Sequence, residues 1–277
     1  MLRIAYILTI TVLIASCTEV TVELPPKVVS TSGKVILIEE VTGVQCSNCP
    51  RASAKLEEIA DQFDGNVIVV GVHGTQQTEP YSDSKYSFSN DDAKALEEYL
   101  RPWLGKPAAA FNRRMFADEE FLSLSGIGSF QSKVELILQE PQTIDIATSF
   151  EINADSTNIT INAGVTALQD LEGDFYISAM VTESHIIDYQ LDTDFGGYNK
   201  DYEHNHVLRD IISNTFGDEF TKSLAKGDLQ TASWNYTIPT SQDGLWKRKN
   251  LEFIVFITDR TNDSKEVIQA ARFKLKS

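Results

Sequence analysis

The apolar positions of this chain change period once, close to Pro141, and the change separates two kinds of structure. Upstream, short unbroken aliphatic runs alternate with segments of helical spacing. Val35-Ile36-Leu37-Ile38 is too short for a helix, so it predicts a strand covered on both faces. From Ala52 the pattern passes to Leu56, Ile59, Ala60 and Phe63, a helical stripe, with Pro50 in the first turn where a missing N–H is harmless. Val67 to Val72 predicts a second buried strand, and strand, helix, strand in this order predicts a right-handed parallel unit. Asp91 to Leu100 predicts a helix capped by Asp91, Ala108 to Asn112 a strand, and Ser129 to Gln139 a further helix.

Downstream the period is two. Ile144, Ile146, Thr148, Phe150 and Ile152 alternate with polar residues. The alternation returns at Ile159 to Val165, Phe175 to Val181, Trp234 to Ile238 and Leu251 to Ile257. Arg260 to Asp263 then predicts a hairpin turn into Val267 to Phe273. Half-buried strands joined by polar turns predict an antiparallel sandwich. Tyr202 to Ile212 breaks the pattern, and its second half fits a short helix. The fold class expected is an α/β domain over residues 34–141, with a turn-rich insertion at 74–92, followed by an all-β sandwich domain over 142–277. Each is expected to own its core.

The first residues bear on the compartment. Arg3 precedes an apolar run, Ile4 to Ala15, that is too short to span a bilayer and has the shape of a secretory signal. It ends Leu13-Ile14-Ala15-Ser16-Cys17, which resembles the bacterial lipobox. That reading makes residues 1–16 a signal peptide, puts lipid on Cys17, and leaves 17–33, with Pro25-Pro26, as a tether to the membrane. The alternative is an ordinary signal peptide with an incidental cysteine. A formal net charge of −16 repels nucleic acid, so no nucleic-acid partner is expected.

Lipid on Cys17 leaves Cys46 and Cys49 as the only possible disulfide of three cysteines, in an envelope compartment that favours disulfides. A two-residue gap makes a poor staple, because closing so small a loop removes little unfolded-state entropy. Zinc would want two more ligands and no second Cys-x-x-Cys is present, so no cofactor is expected. The pair lies between a strand and a helix N-terminus, where the dipole favours an anionic sulfur. Cys46 is expected to be exposed and to attack a partner disulfide, with Cys49 resolving the mixed disulfide.

At these residues the chain resembles the thioredoxin superfamily. The resemblance implies that Glu40, six residues before Cys46, relays a proton to the resolving cysteine. It also implies that Pro107, in Gly105-Lys106-Pro107, is a cis-proline facing the disulfide, which sets Lys106 beside the Cys46 thiolate. Two departures stand out: Gln45 occupies the position of an aromatic residue, and the 74–92 insertion lengthens the route to the proline. The lipobox, the Cys-x-x-Cys-Pro and a His-Asn-His-Val-Leu-Arg segment at 204–209 together resemble the 28-kilodalton outer-membrane lipoprotein family. That resemblance implies an outer-membrane location and a thioredoxin-like domain joined to a β-sandwich.

Two sharper readings compete with plain ones. His204 and His206 could ligate a metal with Glu203 or Asp201, or simply pack an interstrand loop. His73 could complete a Cys-Cys-His copper site, or be a strand-end residue. The function expected is thiol–disulfide exchange on envelope proteins, by a thiol–disulfide oxidoreductase. Its rival is a non-enzymatic binding or structural lipoprotein with an inert disulfide.

Overall fold

A computed structural model of the chain describes residues 33–63, 65–153, 157–240 and 244–275. The signal segment, Cys17 and the tether up to residue 32 lie outside the described residues.

The first half is built on β1 (Ile36–Val41), every residue of which is buried. It pairs in parallel with β2 (Val67–Val72), in register from Ile36 opposite Val67 to Val41 opposite Val72. On its other edge it pairs antiparallel with β3 (Ala108–Phe111). Helix α1 (Cys49–Gln62) links β1 to β2 and starts at the second cysteine, with Pro50 in its first turn. Helix α2 (Asp91–Tyr99) is capped by Asn90 rather than Asp91: the Asn90 carboxamide oxygen accepts from Ala93 N at 2.8 Å. Asp91 is thereby freed to sit in the first turn, where its charge favours the dipole. Helix α3 (Phe130–Leu138) closes this half, after one antiparallel bridge between Ala109 and Leu124.

Among the described residues the second half consists of strands with two short 3-10 turns, Arg248–Asn250 and Thr261–Asp263: β4 (Ile144–Ile152), β5 (Asn158–Ala167), β6 (Leu171–Glu183), β7 (Ile186–Asp192), β8 (Gly197–His204), β9 (Val207–Ile211), β10 (Asp218–Leu224), β11 (Leu229–Thr237), β12 (Leu251–Asp259) and β13 (Glu266–Lys274). Six of these follow the alternation seen in the sequence. The other four, β7 to β10, were not visible there. The helix expected after Val207 is strand β9 instead. Its backbone groups are taken by neighbours: β6 pairs it antiparallel on one side, and Gly71 of β2 pairs with Val207 on the other. Those ladders override a weak helical spacing.

This parallel contact at Gly71 joins the halves. One sheet runs in the order β13-β12-β6-β9-β2-β1-β3, with β10 beside β6. Among the described residues a separate sheet, β11-β5-β4, and the β7-β8 hairpin complete an architecture that is mainly β, with three α-helices and mixed and antiparallel sheets. Pro141 leaves one apolar cluster on either side: Ile38, Leu56, Val69 and Phe130 before it, and Ile161, Val165, Ile177 and Phe253 after it. A third cluster draws on both halves, with Leu37, Val70 and Leu96 against Met180, Leu208, Ile254 and Phe256.

The ends of the sheet also approach each other. Asn112, just past β3, accepts from Val267 N of β13, and its side chain accepts from Leu37 N of β1, both at 2.8 Å. The next residue, Arg113, reaches the buried Glu39 of β1 through two bonds of 2.7 and 2.6 Å. Its guanidinium lies 5.0 Å from the Phe256 ring of β12. Removing one member of such a pair strands a charge without solvent, at about 3–5 kcal/mol. Arg113→Ala is therefore expected to lower the unfolding free energy by about 3–5 kcal/mol in urea titrations. Because Arg113 touches both halves, near-ultraviolet and far-ultraviolet signals should still fall in one transition.

Candidate site at the Cys46–Cys49 disulfide

Cys46 and Cys49 form a disulfide, with Cα atoms 5.4 Å apart, between the end of β1 and the first turn of α1. Lys106–Pro107 is a cis peptide, as the resemblance implied, and Pro107 is buried at the entrance to β3. The expected exposure of Cys46 is not found. It is 2% exposed and Cys49 is 1% exposed.

The cover comes from the second half. Gln190 of β7, itself buried, donates through Nε2 to the carbonyls of Cys46 at 3.0 Å and Gly43 at 3.2 Å. Leu191 N donates to Val44 O at 2.8 Å, and Thr193 N to Ser47 O at 2.9 Å. Asp194 at the hairpin tip pairs with Arg51 of α1. Near the hairpin base Asn205 Nδ2 donates to Glu57 Oε1 of α1 at 3.0 Å. The loop that carries the disulfide is thus held along its length by one hairpin.

The 74–92 insertion supplies the other side. Gln45 N donates to Gln77 O at 2.9 Å and its side chain to Glu79 O at 2.8 Å, so the residue that stands in place of an aromatic anchors the insertion. Gly43 has no room for a side chain, because a Cβ would fall 2.4 Å from Gln77 O. Lys85 N and Tyr86 N both donate to the buried carboxylate of Asp188 in β7, which ties the insertion to the hairpin.

Lys106 does not offer its charge to the thiolate as expected. Its ammonium is buried against Glu97 Oε2 at 2.8 Å and donates to Thr42 O and Gln76 O at 2.7 and 2.5 Å. Burial pushes the Lys106 ammonium down from its usual pKa, and Glu97 opposes that. The charge is spent holding α2, the insertion and the end of β1 together.

Glu40 does sit behind the disulfide. Ser53, one turn beyond Cys49 on α1, donates towards both Glu40 carboxyl oxygens at 2.9 and 3.0 Å and towards Cys49 O at 3.1 Å. Burial pushes the Glu40 pKa up to about 8, against the pull of the Ser53 hydroxyl. A carboxyl with a pKa near the working pH can give or take a proton. Glu40, Cys49, Ser53, His73, Tyr202 and His204 border one small cavity of about 30 Å³, enough for a water or two.

The three histidines of this region are neutral near pH 7. Burial depresses all three, His204 to about 4. His204 Nε2 faces Tyr189 O at 3.3 Å, and its ring packs against Phe88 and Tyr202. His206 contributes its carbonyl, which accepts from Gly71 N at 2.8 Å where the two halves join. Among the described residues no three His, Cys, Asp or Glu side chains converge as a metal-ligating set. Sequence reasoning missed Ser53, Gln190 and Tyr202. Ser53 carried a local signal, one turn after Cys49, whereas Gln190 and Tyr202 are brought in from far along the chain.

Residues 95–277 match the model of the family described as Outer membrane protein Omp28. The chain belongs to that family. Its location is accordingly the outer membrane. The match begins inside α2, so it takes in the cis-proline, the hairpin and the strands from β3 onward and leaves β1, β2, Cys46 and Cys49 ahead of it. Among solved structures, HBP35 of Porphyromonas gingivalis is 16% identical, with a TM-score of 0.66 over 87% of this chain and 75% of that one. A protein from Agrobacterium tumefaciens is 15% identical, with a TM-score of 0.53 over 88% of this chain and 98% of that one. Both likenesses show the fold alone. No curated protein matches the chain.

Two outcomes follow from this geometry. Below the ordinary Glu value of 4.5 both folded and unfolded states carry the Glu40 proton, so it costs no stability. As pH rises the unfolded chain ionises first, and the folded state loses ground until its own pKa, about 8, is passed. Glu40→Gln should therefore match the wild type near pH 4 and exceed it by ~1–3 kcal/mol near pH 8, in paired denaturant titrations. Gln190→Ala removes the amide that holds the loop carbonyls, worth ~1 kcal/mol per bond. Reduction of the disulfide by dithiothreitol should then quicken by about tenfold.

Proposed function

We propose that this chain is a lipid-anchored outer-membrane protein whose thioredoxin-like half exchanges disulfides with envelope proteins. Cys46 is the attacking sulfur, Cys49 resolves, Pro107 shapes the partner's approach and Glu40 holds the proton that Cys49 gives or receives. The antiparallel strands, read as a β-sandwich around Ile161, Ile177 and Phe253, carry the hairpin that covers the site. Lipid on Cys17 would tether the whole. The observation that carries this reading is the Cys46–Cys49 pair at a helix N-terminus, with a buried carboxyl of raised pKa behind it. A resident structural disulfide has no use for such a group.

The burial of both sulfurs favours a second reading, a binding or structural lipoprotein with an inert disulfide. The reduction potential of the mature chain, equilibrated in glutathione and dithiothreitol buffers, separates the two. Exchange requires a value between about −270 and −120 mV, whereas an inert staple lies below about −300 mV. In the first case Cys49→Ser should accumulate mixed disulfides through Cys46 with envelope proteins. A potential in the inert range, with no adduct trapped, would retire the exchange reading.

A further inference from the structure

With Cys46 only 2% exposed, something must move before a partner's sulfur can reach it. The β7–β8 hairpin stands apart from the two larger sheets, its strands laddered only with each other. A register shift between Asp188 and Gln190 divides it into a base and a tip. The base is anchored. Asp188 accepts from Lys85 N and Tyr86 N, Ile186 belongs to a buried cluster with Val44, Phe88 and Val207, and His204 packs against Phe88.

The tip is held differently. Gln190 is the last buried residue of β7, and none of residues 191–203 is buried. The turn closes on itself, with Asp192 Oδ1 accepting from Asp194 N at 2.8 Å. Beyond the Gln190 amide, the tip meets the first half through Leu191 N, through Thr193 N and Oγ1 on Ser47 O, and through the Asp194–Arg51 pair. The Tyr198 ring adds an edge contact with Tyr81, centroids 4.6 Å apart. Polar contacts at the surface, with little buried apolar area behind them, place a segment at the low end of local stability. A register shift at its root gives it a place to bend.

The pattern of these contacts names what else could sit there. Leu191 N and Thr193 N, two residues apart, donate to Val44 O and Ser47 O at 2.8 and 2.9 Å. Any extended polypeptide presents amides along one edge at this spacing, about 7 Å. The carbonyls of Val44, Cys46 and Ser47 are therefore an acceptor row beside the disulfide, filled by the chain's own tip. We propose that this row is a docking surface for an extended segment of a partner polypeptide, and that the hairpin tip is a self-docked strap which the segment must displace to reach Cys46. The partner's role rests on the exchange reading above, whereas the strap does not.

Native-state hydrogen exchange on the mature, disulfide-intact chain times the tip directly. The Leu191 and Thr193 amides should exchange at least about a hundredfold faster than the amides of β1, by an opening that urea barely promotes. One common rate and urea dependence would mean that the tip opens only with the whole fold, which overturns the strap. The double variant Thr193→Ala, Asp194→Ala removes tip contacts that touch neither sulfur. Exchange at Leu191 and reduction of the disulfide by a phosphine should then quicken together, each by about tenfold. Faster exchange with unchanged reduction also overturns it. In the same variant a synthetic peptide of residues 189–195, at about 1 mM to match a short tether, should slow reduction roughly twofold. The peptide N-methylated at the Leu191 and Thr193 positions should not. No slowing, or equal slowing by both peptides, strikes the docking surface. A potential in the inert range retires disulfide exchange and leaves these rates standing, and an immobile tip leaves the potential untouched.

Discussion

The structure depends on a central strand that is buried on both faces and nevertheless carries two adjacent carboxylates. Side chains of neighbouring strand residues point to opposite faces, so Glu39 and Glu40 meet different surroundings and neither reaches water. A buried charge without compensation is too costly to keep, and the fold answers it in two ways. Glu39 is matched by the fork of Arg113, held between β3 and the aromatic ring of Phe256. Glu40 meets no cation among the described residues and is held by a serine, with its pKa raised until protonation becomes the favoured state. The first solution sets a buried cation of the first half against Phe256 of the second. The second leaves a proton beside a disulfide.

The same economy explains the cover on the disulfide. The loop from Gly43 to Asn48 is flanked by strand and helix but leaves several carbonyls unpaired by either. Strand β7 and Gln190 take these, and the 74–92 insertion takes the Gln45 amide and side chain. Burying backbone requires partners for it, and here they come from two distant segments. Lys106 is drawn into the same network, paired with Glu97 and donating to Thr42 and Gln76, so it no longer acts on the sulfurs as a free charge. The disulfide therefore faces its own chain on both sides.

The His-Asn-His-Val-Leu-Arg segment takes its meaning from the join. His206 and Val207 pair with Gly71 of β2, Asn205 ties to Glu57 of α1, and Arg209 lies 3.6 Å from the buried Glu183 and over the Trp246 ring. Metal ligation is one way to account for two histidines at this spacing. Seaming the two halves accounts for Asn205, His206 and Val207, while His204 packs beneath the hairpin against Phe88 and Tyr202 and Leu208 fills the shared core.

Local pattern determined much of this. The aliphatic runs at 35–38 and 67–72, the helical stripes after Ala52, Asp91 and Ser129, and the period-two strands after Pro141 all correspond to observed elements, because burial on one or two faces imposes its period directly on the sequence. The cysteine pair was legible as a short-range spacing, whereas Pro107 and Glu40 were singled out only through what the resemblance implies. Strands β7 to β10 were not legible, since their positions alternate poorly and their stability comes from pairing with β6, β2 and each other. Only the tertiary structure decided that Cys46 is covered, that Lys106 is paired with Glu97, and that Tyr202 and Gln190 border the cysteine loop. Those facts rest on hydrogen bonds and charge pairs between residues far apart in the chain. No local period encodes them, because the physical quantity that selects them is the need to satisfy buried polar groups once the sheet has closed.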